Sequence, residues 1–153
     1  MSIMLALAAV AAVAAAQFPA APSTIRLGEI RMHLFYEPTG RLSPDISPPR
    51  QFSAWNTVSG GGEAGQPARD LLIVVELRAE GEDFAHRPLR IVARDARGRL
   101  LGERRFTEVY TTETGRTSMP LWLRDVTCAG EIRVRATLGD RSLSESLTLN
   151  CGE

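Results

Sequence analysis

From residue 24 onward, apolar side chains recur at every second position, which is the period of a β-strand. Residues 24–36 place Ile30, Met32, Leu34 and Tyr36 on one side and Arg31, His33 and Phe35 on the other. In residues 71–77, Leu71, Ile73, Val75 and Leu77 form one face, while Leu72 and Val74 cover much of the other. A short β-branched run that is apolar on both sides predicts a central strand. Further strands are predicted at 51–58 with Phe52 and Trp55, at 89–94, at 100–111 and at 119–126. In the last of these, Met119, Leu121 and Leu123 point inward and Trp122 lies opposite. No segment after the N-terminal apolar run sustains a 3.6-residue period for three turns. The pattern therefore predicts an all-β fold: one two-layer antiparallel sandwich (Ig-like or C2-like) of seven or eight strands over residues 24–153.

The connections carry their own signals. Glu37-Pro38-Thr39-Gly40 reads as a turn, 41–50 with Pro44, Pro48 and Pro49 as an irregular loop, and 59–70 with Gly60-Gly61-Gly62 as the longest flexible stretch. Asp95-Ala96-Arg97-Gly98 suits a type I turn closed by a glycine bulge. Near the C-terminus, Ile132, Val134, Ala136 and Leu138 alternate up to Gly139-Asp140, and Leu143, Leu147 and Leu149 alternate back. A two-residue turn at Gly139-Asp140 sets Val134 opposite Glu145, Ala136 opposite Leu143 and Ile132 opposite Leu147. The same register sets Cys128 opposite Cys151 on the apolar face, with a bulge at Ala129-Gly130 to ease the pair together. A crosslink closing such a loop contributes about 3 kcal/mol in the chain-entropy model.

The N-terminus reads differently. Ile3 to Ala16 is unbroken apolar sequence ending in Ala14-Ala15-Ala16, before Gln17, Phe18 and Pro19. An apolar core followed by small residues predicts a signal peptide over 1–16 cut after Ala16, with 17–23 as an exposed lead-in. The run is short for a retained anchor, which needs about 20 apolar residues, so no stable membrane insertion is expected after cleavage. With Cys128 and Cys151 as the only cysteines, a periplasmic or secreted protein with one disulfide is the expectation.

Composition narrows the chemistry. The formal net charge is zero, against the net basic surface that nucleic-acid binding needs. All 18 Lys+Arg residues are arginine, which removes Schiff-base, P-loop and Ser-Lys chemistry. Gly60-Gly61-Gly62 has no following Lys-Ser/Thr to make a phosphate loop. No G-x-S-x-G elbow is present, and the sole histidines, His33 and His86, read as solvated surface residues; no catalytic residue is assigned. Trp55 and Trp122 have apolar neighbours and read as core rather than as ligand platforms.

Loop carboxylates are the remaining candidates. Strand reversal would gather Glu63, Asp70, Asp95 and Asp125 near one end of the sandwich and Glu82, Asp83, Glu113 and Asp140 near the other, about 25 Å away. Either set could hold calcium. Arg69, Arg94 and Arg97 at the first end, and Arg87 and Arg116 at the second, would neutralise them. No cofactor or metal is expected.

Trp55-Asn56-Thr57 through Glu63-Ala64, together with Cys151-Gly152-Glu153, resembles a group of small exported bacterial proteins of uncharacterised function. In that group a tryptophan-asparagine-threonine segment leads into a glycine- and acid-rich turn before an apolar strand. The likeness covers most of the mature domain, although Gly61-Gly62 stands where an acidic residue would be expected. It implies export and a compact domain, and no activity.

The leading expectation is a non-enzymatic binding module of the cell envelope whose partner is another protein or an envelope component. A carboxylate- or calcium-dependent hydrolase or carbohydrate-active protein is the second reading. A protease inhibitor or stability factor presenting the 59–70 loop is the third.

Overall fold

The computed structural model describes residues 22–47, 51–53 and 63–151. The predicted signal segment, Trp55-Asn56-Thr57, Gly60-Gly61-Gly62 and Gly152-Glu153 lie outside them.

Among the described residues the chain forms eleven strands, not seven or eight: β1 (Arg26–Tyr36), β2 (Arg41–Leu42), β3 (Gln51–Ser53), β4 (Ala68–Arg78), β5 (Asp83–Ala85), β6 (Leu89–Asp95), β7 (Leu100–Phe106), β8 (Val109–Thr111), β9 (Arg116–Leu123), β10 (Gly130–Leu138) and β11 (Arg141–Asn150). They build a four-stranded sheet ordered β2-β1-β4-β9, a five-stranded sheet ordered β3-β11-β10-β6-β7 and a small β5-β8 pair. One buried cluster joins the two larger sheets in a sandwich-like, all-β arrangement. Met32, Leu71, Ile73 and Leu121 come from one side, and Ile91, Ile132, Ala136 and Leu147 from the other.

Alternation explains which side faces the core. Along β4 every odd-numbered residue from Leu71 to Leu77 is fully buried, and the strand lies between β1 and β9. Its other face is only half covered: Leu72 and Val74 keep intermediate exposure, shielded by side chains of neighbouring strands. Closing β9 against β4, Leu71 pairs with Leu123 and Ile73 with Leu121.

The predicted strand over 100–111 divides in two. β7 is an edge strand with three consecutive exposed charges, Glu103, Arg104 and Arg105, a pattern that discourages further pairing. Past Thr107 the chain leaves that sheet, and β8 pairs with β5 instead.

The 41–50 loop also differs from expectation within its described part. Arg41 and Leu42 pair with β1, and Ser43, Ile46 and Ser47 are buried. Pro44 has no N–H to offer a ladder, so side chains take over. Ser43 Oγ accepts from Leu34 N at 2.9 Å, and Asp45 Oδ1 accepts from Met32 N at 2.9 Å. Backbone bonds from Ser43 N to Leu34 O and from Ile46 N to Met32 O complete the seal on this β1 edge.

The terminal hairpin has the predicted register, with Ile132 opposite Leu147, Val134 opposite Glu145 and Ala136 opposite Leu143. Cys128 and Cys151 are bonded, with Cα atoms 5.0 Å apart. Both are exposed and lie beyond the ladder rather than on its apolar face. In place of a bulge, Ala129 N donates to Val126 O in a tight turn, and Gly130 takes φ +69° to enter β10. Among the described residues no helix is long and apolar enough to cross a membrane.

Candidate functional site

The outer face of the five-stranded sheet holds a concave groove of about 770 Å³ across β6, β10 and β11. Its composition follows from strand alternation. On β6, Leu89, Ile91 and Ala93 turn into the core, which sends Arg90, Val92 and Arg94 outward. On β10, Ile132, Val134 and Ala136 turn inward and Arg133 and Arg135 outward. β11 adds Ser144 opposite Arg135 and Ser146 opposite Arg133.

Pairing then sets like charges face to face. Arg94 is the direct partner of Arg133, and Arg90 of Arg105 on β7. Directly opposed like charges weaken an antiparallel ladder by a few tenths of a kcal/mol or more, so this arrangement works against stability. The chain is formally neutral, which makes the cluster of guanidinium groups a local property of this face.

Two carboxylates offset part of it. Arg90 grips Glu103 through Nε and Nη2 at 2.6 and 2.9 Å, and Arg133 grips Glu131 the same way at 3.0 and 2.7 Å. The Arg90 hydrogen bond, helped by the charges of Arg94 and Arg105, holds the Glu103 carboxyl below the usual range against some desolvation. Arg133 does the same for Glu131. Arg94 and Arg135 instead donate to neutral acceptors, Gly98 O at 2.8 Å and Ser142 Oγ at 3.1 Å.

The turn beside Arg94 is pinned by one side chain. Asp95 Oδ1 accepts from Arg97 N and Arg99 N at 3.0 and 2.8 Å, and Oδ2 from Arg99 Nε at 3.0 Å. Gly98 supplies the positive φ of +80° that closes the predicted bulge, and the β6–β7 register shifts between Ala93 and Arg94.

The predicted carboxylate groups do not assemble. Among the described residues no three His, Cys, Asp or Glu side chains converge to hold a metal. Asp70 and Asp125 do meet, through Asp125 N donating to Asp70 Oδ1 at 3.1 Å, and Arg69 stands 3.7 Å from Asp125. Asp95 is committed to its own turn in the other sheet, and Glu63 caps Ser53 N. Of the second set, Asp83 Oδ2 binds Ser23 and Thr24, tying down the start of the described chain. His86 is exposed, 3.6 Å from Glu108 and edge-on to Phe84. His33 is half-buried and donates from Nδ1 to Ser43 O at 2.9 Å.

Trp122 is not a core residue. It is 41% exposed on the outer face of β9, packs edge-on against Phe35 at 5.2 Å and donates Nε1–H to Asp70 at 2.8 Å. Its apolar neighbours in sequence point the other way, into the core.

Fold and groove together define a small, disulfide-clipped, sandwich-like β-protein with an arginine-rich sheet face. No protein-family model matches the chain, and no curated protein matches it. Among solved structures it is similar to a β-glucuronidase from Bifidobacterium dentium, with a TM-score of 0.43 and 14% identity over 84% of this chain and 18% of that one. It is also similar to an immunoglobulin-like protein from Pseudomonas aeruginosa, with a TM-score of 0.39 and 13% identity over 81% of this chain and 94% of that one. The chain thus spans less than a fifth of the glucuronidase.

Proposed function

We propose that this is an exported, non-enzymatic binding module of the cell envelope that engages its partner through the outer face of the five-stranded sheet. The observation that carries the reading is the Arg94–Arg133 pair, two exposed like charges held opposite each other in the floor of a groove. The four-stranded sheet also sets Arg78 opposite Arg116, but there both reach the buried acid Glu76, whereas Arg94 donates to a carbonyl oxygen. The leader over 1–16 and the Cys128–Cys151 bond support export.

Protein taken from the exported fraction tests this directly, and its N-terminus is expected at or near Gln17. Immobilised wild type should capture an envelope component that Val92→Trp, which fills the groove floor, fails to hold. Equal capture by both forms would rule out this face. An intact Met1 in the membrane fraction would rule out export.

A further inference from the structure

We infer that the groove takes an acidic peptide segment in extended form, a deepening that rests on the binding-module reading above. Three observations point to this ligand.

The first is charge. Arg94 and Arg135 both lie in the groove and spend their resolved hydrogen bonds on a carbonyl and a hydroxyl. Neither acceptor neutralises a guanidinium, and each fork keeps further N–H donors for a carboxylate, which it can meet bidentately. Of the acids in or beside the groove, Glu103 and Glu131 are gripped by Arg90 and Arg133, Asp95 is bound into its own turn with Arg99, and Glu145 accepts from Ser146 N. Glu103 and Glu131 flank the two arginines, with their resolved hydrogen bonds directed to Arg90 and Arg133.

The second is spacing. Arg94 lies opposite Arg133, so Arg135, two residues further along β10, is its diagonal neighbour. Diagonal neighbours across an antiparallel pair stand about 7–8 Å apart. Alternate side chains of an extended peptide stand about 6.8 Å apart. A Glu-x-Glu or Asp-x-Asp segment therefore delivers one carboxylate to each fork without bending.

The third is the lining. Val92, Thr137, Ser144 and Ser146 supply short aliphatic and hydroxyl contacts, and among the described residues no aromatic ring lines the groove. Sugar rings are commonly held on aromatic faces, whereas a peptide backbone finds hydrogen-bonding hydroxyls here. Acidic peptide is thus favoured over acidic polysaccharide, whose carboxylates would otherwise meet the same forks.

The experiment is fluorescence anisotropy with the mature protein and a labelled Thr-Glu repeat peptide, beside its Thr-Gln isostere. The Glu peptide should bind roughly tenfold or more tightly than the Gln form, and its affinity should fall with added salt. Arg94→Gln and Arg135→Gln should each weaken it severalfold and the double variant by at least about tenfold, with melting curves confirming that all remain folded. Arg124→Gln, outside the groove, should leave it unchanged. Equal binding of both peptides, or an unaffected double variant, would overturn the assignment. So would polygalacturonate binding through the same two arginines more tightly than the peptide. If the peptide fails while Val92→Trp still abolishes capture from the envelope, the ligand class falls and the binding module stands. If both fail, the module falls too.

Discussion

The outer faces of the two sheets both set arginine opposite arginine, Arg78 against Arg116 on one and Arg94 against Arg133 on the other, but they offset the repulsion differently. On the four-stranded sheet, Arg31, Arg78 and Arg116 converge on Glu76, which is only 6% exposed. Glu29 adds contacts to Arg31 and Arg78 at 3.4 and 3.6 Å. Across the same face, Trp122, Phe35 and Asp70 close on one another. On the five-stranded sheet, Arg94 meets Arg133 and Arg90 meets Arg105 across the ladder, and only Arg90 and Arg133 of that set grip a carboxylate. Burial of the shared acid makes the first network structural. Removing one partner of a buried charge leaves the other uncompensated, whereas exposed pairs contribute little. The comparison separates a face whose opposed arginines share a buried acid from one whose arginines are exposed and only partly matched by carboxylates.

If that contrast holds, substitutions on the four-stranded side should cost stability. The largest effect is expected at its sealed edge. Asp45→Ala removes the acceptor for Met32 N and for Ser47 N and Oγ, leaving a strand N–H without its partner. A loss of about 2–3 kcal/mol in denaturant unfolding is expected. Burial raises the Asp45 pKa, but the bonds from Met32 and Ser47, aided by His33, outweigh it and hold the carboxyl below its ordinary value. A depressed folded pKa means the contribution is complete above the unfolded value of about 3.9 and fades as pH falls through the folded one. The gap between wild type and Asp45→Ala should therefore narrow below about pH 4, and Asp45→Asn, which keeps an acceptor oxygen, should retain most of the stability. A gap that widens in acid would contradict this account.

Trp122→Ala comes next. It removes the edge-on contact with Phe35 and the Nε1 bond to Asp70, yet the ring is already 41% exposed. A loss of about 1–2 kcal/mol follows, less than a core tryptophan would cost. Trp122→Phe should recover the ring contact and not the bond to Asp70. A Trp122→Ala midpoint equal to wild type would mean that this face, too, is idle for folding.

Much of this architecture was legible in the order of residues. Period-two alternation identified β1, β4, β6 and the β10–β11 hairpin, and the register set by a two-residue turn brought Cys128 and Cys151 together, although they bond exposed and beyond the ladder rather than on its apolar face. The edge built by Ser43 and Asp45 was hidden because their side chains share the pairing with the backbone on either side of Pro44, which gives no alternating pattern to read. Trp122 was misread because neighbours in sequence fall on opposite faces of a strand. The groove was half visible. Arg90 and Arg94, and Arg133 and Arg135, recur at alternate positions, the signature of an outward stripe. Their meeting was not visible, because β6 and β10 are separated in sequence by three strands, and local pattern does not choose such partners.

The smallest predicted effect is also the most decisive between the two faces. Arg94→Thr removes one member of the Arg94–Arg133 pair, replaces it with a good strand former, and gives up an exposed bond to Gly98 O that water can replace. On a face built for stability this substitution would cost energy. On a face that holds like charges for a ligand, it should raise stability by up to about 0.5 kcal/mol, seen as a higher urea midpoint at unchanged slope. The advantage should shrink in about 1 M salt, where the screening length is near 3 Å and the repulsion it relieves is already damped in wild type. A loss above about 1 kcal/mol would place Arg94 among the structural arginines, beyond what an exposed charge ordinarily contributes, and the distinction between the two faces would then fail at its central residue.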